Sequence, residues 1–166
     1  MEVKKSPKGL SDKEMEIVSY LELEGKRFFI KADVSKFFKS VNELNVYIYR
    51  LKEKKRIVRI NKRKYYLIPI QAYRGWVEHP FIVADEMFNG KKYYIGGKAA
   101  ANYWGIIDQL PGVIDVFSRK KQGRMKILGS VFKFRRVRKM GRTAKRKIKD
   151  HGFLIASKEE SEKWKE

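Results

Sequence analysis

The sequence predicts an α+β fold in two parts, and three observations carry that expectation. Apolar residues follow helical spacing three times before residue 55. Two β-rich runs joined by a short polar turn then occupy 56–68. Helix and strand patterns mix again beyond residue 78. The 166 residues are 43% hydrophobic and 13% aromatic, which is enough to build cores despite a formal charge of +21.

The first helix is announced by Ser11-Asp12-Lys13-Glu14, a capping-box pattern, with Met15, Ile17, Val18 and Leu21 behind it and Gly25 as its stop. Arg27–Ile30 is short, β-branched and aromatic, and suits a brief strand. Asp33 reads as the cap of a short second helix whose apolar face is Val34, Phe37 and Phe38. Ser40–Asn42 is turn chemistry, and a third helix is expected from Glu43 to Lys54. Leu44, Tyr47, Ile48 and Leu51 form its packing stripe. The opposite stripe is Asn42, Asn45, Val46, Tyr49, Arg50 and Glu53, with Lys52 at its edge. Arg56–Ile60 and Lys64–Ile68 make a hairpin around Asn61-Lys62-Arg63. Three helices followed by a hairpin is the order of a winged helix-turn-helix, assigned to residues 1–72.

Pro69 and Gln71–Gly75 loosen the chain before a small basic α+β domain over 73–166. His79-Pro80 opens a helix with Phe81, Ala84, Met87 and Phe88 on its apolar face, ending at Gly90. Tyr93–Ile95 reads as a strand, Ala99–Trp104 as a helix, and Val113–Phe117, Met125–Leu128, Val131–Val137 and Phe153–Ala156 as further strands. In Val131–Arg135 the two phenylalanines point one way and valine, lysine and arginine the other. Ser157–Glu166 reads as a fraying polar tail on which Trp164 alone has reason to dock.

Composition narrows function. The absence of cysteine removes disulfides, thiolate nucleophiles and cysteine-held zinc, and two histidines argue against a histidine-rich metal centre. No apolar run approaches the roughly 18 residues of a membrane span, and the N-terminus lacks a signal-peptide core, so a cytoplasmic protein without membrane association is expected. Gly96-Gly97-Lys98 lacks the first glycine and the hydroxyl residue of a phosphate loop, so a tight turn or close packing explains the glycines better. No cofactor is expected.

The charge is unevenly placed. Residues 119–149 hold 15 Lys/Arg and no acid, and Lys52–Lys64 holds eight with Glu53 as the one acid. A charge run can be an ordinary solvated face, but two in one folded, aromatic-rich chain point to a polyanion, foremost double-stranded DNA. Asn42, Asn45, Tyr49, Arg50 and Lys52 are the candidates on the third helix, with Arg50 and Asn45 foremost for base contact. Arg59, Lys62, Arg63 and Lys64 are the hairpin's backbone-gripping candidates, and Arg119, Lys120, Lys121, Arg124 and Arg135 those of the second domain. Two alternatives stay open. One is a non-specific or RNA-associated binder using the 119–149 face with tyrosine and phenylalanine as stacking surfaces. The other is a metal-dependent nuclease, for which Asp85, Glu86, Asp108 and Asp115 are the loose carboxylate candidates.

Lys26–Asp33, Asn42–Leu51 and Tyr66-Leu67-Ile68 resemble the N-terminal winged helix of the AbiEi-type antitoxins of type IV toxin–antitoxin systems. The second half is similar to that family in Gly75–Phe81, in Tyr94-Ile95-Gly96 through Ala99-Ala100, in Tyr103-Trp104-Gly105 and Gln109-Leu110-Pro111, and in the basic stretch after Ser118. The similarity covers about residues 10–157, with Phe153–Ser157 as its last segment. The resemblance implies a DNA-binding autoregulator, an antitoxin, whose second domain neutralises a nucleotidyltransferase-like toxin. Sequence leaves the operator and the oligomeric state open.

Overall fold

A computed structural model describes residues 9–69 and 78–166. The architecture is mixed α+β, with two separate sheets. The chain divides into two compact units, Met1–Trp76 and Val77–Glu166. The expected boundary at 72/73, the loosened stretch Gln71–Gly75 and the Gly75-Trp76-Val77 part of the resemblance lie outside the described residues.

In unit 1, helix α1 spans Asp12–Leu23. Its capping box is complete: the Ser11 N–H donates to Glu14 Oε2 at 2.7 Å, and the Glu14 N–H donates back to Ser11 Oγ at 3.3 Å. Strand β1 is Phe28–Ile30, helix α2 is Lys31–Val34, and a 3₁₀ turn over Ser35–Phe37 follows. Asp33 does not cap α2 from outside. It sits inside the first turn, where its carboxylate accepts the Ile30 N–H at 2.8 Å and the Lys26 ammonium at 2.8 Å. Helix α3 is Val41–Glu53, two residues earlier at its start than expected, because the Ser40 hydroxyl takes the Glu43 N–H and serves as N-cap. Strands β2, Ile57–Arg59, and β3, Lys64–Leu67, form the hairpin.

Strand β1 pairs antiparallel with β3, giving a three-stranded sheet in the order β1-β3-β2. Ile17, Val18, Leu21, Phe29, Val34, Leu44, Ile48, Leu51, Ile57, Tyr65 and Leu67 pack into one core. Of the expected α3 stripe, Leu44, Ile48 and Leu51 are buried and Tyr47 is half-buried against the same core. Each such buried side chain contributes about 1.5–3 kcal/mol, so this stripe fixes which face of α3 turns outward.

In unit 2, helix α4 is Pro80–Met87, with His79 as N-cap accepting the Phe81 N–H at Nδ1. Burial lowers the pKa of His79, which suits a ring nitrogen that must accept. Strand β4 is Tyr93–Gly96 and helix α5 is Gly97–Tyr103. Strands β5, Ile114–Ser118, β6, Gly123–Ile127, β7, Ser130–Arg136, β8, Thr143–Ile148, and β9, His151–Ala156, complete a mixed six-stranded sheet. Its order is β6-β7-β5-β4-β9-β8. Strands β5 and β7 run parallel, as do β4 and β9; the other neighbours are antiparallel.

One sheet face is the core. Tyr93, Ile95, Ile114, Val116, Phe132, Phe134, Phe153 and Ile155 are buried there, with Phe81 and Phe88 of the α4 segment in ring contact with Phe153, Tyr93 and Phe134. The other face carries Tyr94 and Phe117, stacked at 5.0 Å with 6° between their planes. The tail is ordered, contrary to the expectation of fraying. Ser157 caps a short helix, α6, Lys158–Ser161, and a 3₁₀ turn then brings Trp164 to 5.7 Å from Phe117. Strand β8 is an element the sequence pattern did not reveal.

Candidate nucleic-acid interface

The core contacts of α3 leave Asn42, Asn45, Val46, Tyr49, Arg50 and Lys52 exposed together on its outer side. Apolar side chains stand in solvent on this helix too: Val41 is 70% exposed, Val46 47% and Tyr49 62%. Asn45 Oδ1 accepts the Lys31 ammonium at 2.7 Å, so α2 fixes the amide's orientation and leaves its N–H₂ outward as a donor. The Arg50 guanidinium lies 5.2 Å from the Tyr47 ring centre, and Tyr47 in turn leans on Phe38 at 5.3 Å. An aromatic shelf thus restrains a long cation that would otherwise sample many rotamers. Glu53 is the last residue of α3, away from the Asn42 end of the stripe.

The hairpin turn is stiffened by its own side chains. Asn61 Oδ1 accepts the N–H groups of Arg63 and Lys64, both at 2.9 Å. The Arg59 guanidinium donates to the carbonyls of Asn61 and Lys62, each at 3.0 Å. Arg59 is therefore engaged in holding the turn, while Lys62 and Arg63 are exposed at its tip and Lys64, half-buried, begins β3.

Unit 2 divides its candidates. Arg119 and Lys120 are exposed in the connection after β5, and Arg124 is exposed on β6. Lys121 turns inward instead. Its ammonium is 3.4 Å from Met87 Sδ and 4.2 Å from the Phe134 ring centre, and burial holds its pKa below the ordinary lysine range. Arg135 donates to Asp115 Oδ1 at 2.6 Å. Register adds residues that composition did not single out. Arg124 faces Lys133, Lys126 faces Val131, and Lys145 faces Leu154, so Lys126, Lys133 and Lys145 share the sheet face opposite the core with Arg124 and Arg135.

The carboxylates fall into separate places. Asp85 and Glu86 lie beside His151, with Nε2 3.0 Å from Asp85 Oδ2 and 3.6 Å from Glu86 Oε1. The Tyr93 hydroxyl donates to Asp85 Oδ1 at 2.7 Å and accepts the Leu154 N–H at 2.9 Å. Burial, reinforced by Asp85, raises the pKa of Tyr93 far above its ordinary value, so it remains a donor. Asp115 projects from the opposite face of the sheet, since Ser118, three residues along β5, is the one that faces Tyr93. Asp85 and Asp115 are therefore apart, whereas the carboxylates of Asp85 and Glu86 and the His151 ring offer ligand atoms within 4.8 Å of one another. His151 is a partner that sequence spacing did not connect to Asp85, 66 residues away.

No protein-family model and no curated protein matches this sequence.

Proposed function

We propose that the protein is a DNA-binding transcriptional regulator whose unit 1 acts as a winged helix-turn-helix. The observation that carries this reading is the outward stripe of α3, where amides, a guanidinium and exposed Val46 and Tyr49 stand beside one another in a chain of charge +21. Asn45 and Arg50 suit base edges in a major groove, and Val46 suits a thymine methyl. The stiffened tip with Lys62 and Arg63 suits the neighbouring phosphates. An antitoxin that regulates its own operon is the form of regulator the family resemblance implies. Co-purification with a nucleotidyltransferase-like toxin encoded next to it is the test of that form.

A mobility-shift titration with the duplex upstream of the protein's own gene and a random duplex tests DNA reading. The expected preference is about 10³ or more. Arg50→Ala is expected to cost about 1–3 kcal/mol on the preferred duplex and little on the random one. Equal weakening on both removes the base-reading role from Arg50.

A further inference from the structure

We propose that the open face of the unit 2 sheet along β6 and β7 is a second DNA surface, one that holds the sugar–phosphate backbone of a duplex without reading bases. It deepens the DNA-binding reading of the chain and rests on it for the choice of polyanion.

The register sets four cations on two adjacent strands. Arg124 lies opposite Lys133, Lys126 opposite Val131, and Arg135 follows two residues after Lys133. All four are exposed. Residues two apart on a strand stand about 6.7 Å apart, twice the roughly 3.4 Å rise of a base pair. At the Gly123 end of the strands, a depression of about 440 Å³ is lined by Arg124, Lys133 and Arg135 of this face together with Phe134 and Arg136, whose places on β7 belong to the other face. Asp115 is the acid on this face: it lies opposite Lys133 in the β5–β7 pairing, and its bond to Arg135 fixes that guanidinium and neutralises it in part, while Arg124, Lys126 and Lys133 make no ion pair among the described residues.

Edge protection does not account for the pattern. Charges on an edge strand discourage strand-to-strand aggregation, and β6 is an edge. Lys133 and Arg135, however, belong to β7, an inner strand. The aromatic residues decide between duplex and single strand. Single-strand binders stack bases on open rings. On β6 and β7 the aromatic side chains are Phe132 and Phe134, both buried on the other face. Phe117, opposite Arg135 on the neighbouring β5, is engaged already: Tyr94 stacks on its ring and Trp164 leans against it. The face thus offers cations and no stacking platform.

The test measures salt dependence of binding by fluorescence anisotropy, on a random 30-bp duplex and on its single strand. Three full-length variants are compared with the parent: Arg124→Ala/Lys126→Ala/Lys133→Ala on the face, Lys91→Ala/Lys92→Ala/Lys98→Ala in the α4–β4 connection and on α5, and Arg50→Ala/Lys62→Ala/Arg63→Ala on α3 and the hairpin. Melting curves check that each folds, and exposure of every altered side chain makes that the expected result. The face variant is expected to lower the log–log slope on duplex by roughly 2.7, about 0.9 per lost contact, and the equally charged control by less than about one. Equal losses in those two overturn the proposal, as does a larger loss on single strand than on duplex. A face variant with the expected loss beside an α3 and hairpin variant with none removes the helix reading and leaves this surface standing.

Discussion

Glu14 shows how one residue serves local and tertiary structure together. Its Oε2 closes the α1 capping box and receives the Lys54 ammonium from just beyond α3 at 2.5 Å, while the side chain is 1% exposed. Burial alone would raise its pKa, but the bonds from Lys54 and Ser11 outweigh that and hold it below the ordinary glutamate value. A group whose folded pKa lies below its unfolded value of about 4.3 contributes stability above that pH, and the contribution is lost as pH falls through the folded pKa. Acid titration followed by circular dichroism is therefore expected to show a steeper loss below about pH 4 in the parent than in Glu14→Gln. At neutral pH that variant is expected to be less stable by about 2 kcal/mol, because the Lys54 ammonium loses its anion. Tyr93→Phe is expected to cost about 1–3 kcal/mol in a denaturant titration, since Asp85 Oδ1 loses its donor and the Leu154 N–H its acceptor. Lys62→Ala is expected to leave stability unchanged and to lower the salt slope of duplex binding by about 0.9, with the preference between duplexes intact.

Elements differ in how openly their sequences announce them. Helix α1 and the hairpin β2–β3 were readable because capping, spacing and turn chemistry agree within each. Strand β8 was hidden for a physical reason. Its inward positions are Ala144, Arg146 and Ile148, opposite Ile155, Phe153 and His151. The middle one is an arginine whose guanidinium lies 4.7 Å from the Trp104 ring centre, so a cation occupies the place where alternation calls for an apolar side chain. Lys121 misled in the same way: within a run of cations, nothing marks the one that folds back over Phe134. The outer stripe of α3 was legible from the helical repeat, whereas the shared face of Arg124, Lys126 and Lys133 needed the β6–β7 register. The close packing foreseen for Gly96 and Gly97 has distinct causes. A Cβ on Gly96 would lie 2.5 Å from the Phe117 ring and 3.0 Å from Trp164, and one on Gly97 would meet Asp115 Oδ2 at 2.4 Å with φ at +62°. Gly96→Ala is expected to destabilise unit 2 by about 1–3 kcal/mol, read from its thermal transition, because a six-membered ring must move to admit the methyl group.

At the scale of the whole molecule, the excess of 40 basic side chains over 19 acidic ones both repels itself and attracts a polyanion. Salt acts oppositely on the two. Raising ionic strength from about 20 to 200 mM is expected to raise the Tm, by roughly 2–4 °C for each 1 kcal/mol of repulsion relieved, while duplex affinity falls. Parallel melting and anisotropy series check the divergence. The order of strands has a further consequence. Strand β9 lies between β4 and β8, and its Ile155 pairs with Ile95, 60 residues earlier. At about 5–20 residues per second a ribosome needs roughly 3–12 s to make that stretch. Until β9 is made the nascent β4 presents an unfilled edge, and β8, whose sheet partner is β9, has no strand to join, so messages truncated before β9 should yield aggregates or chaperone clients instead of a smaller working protein.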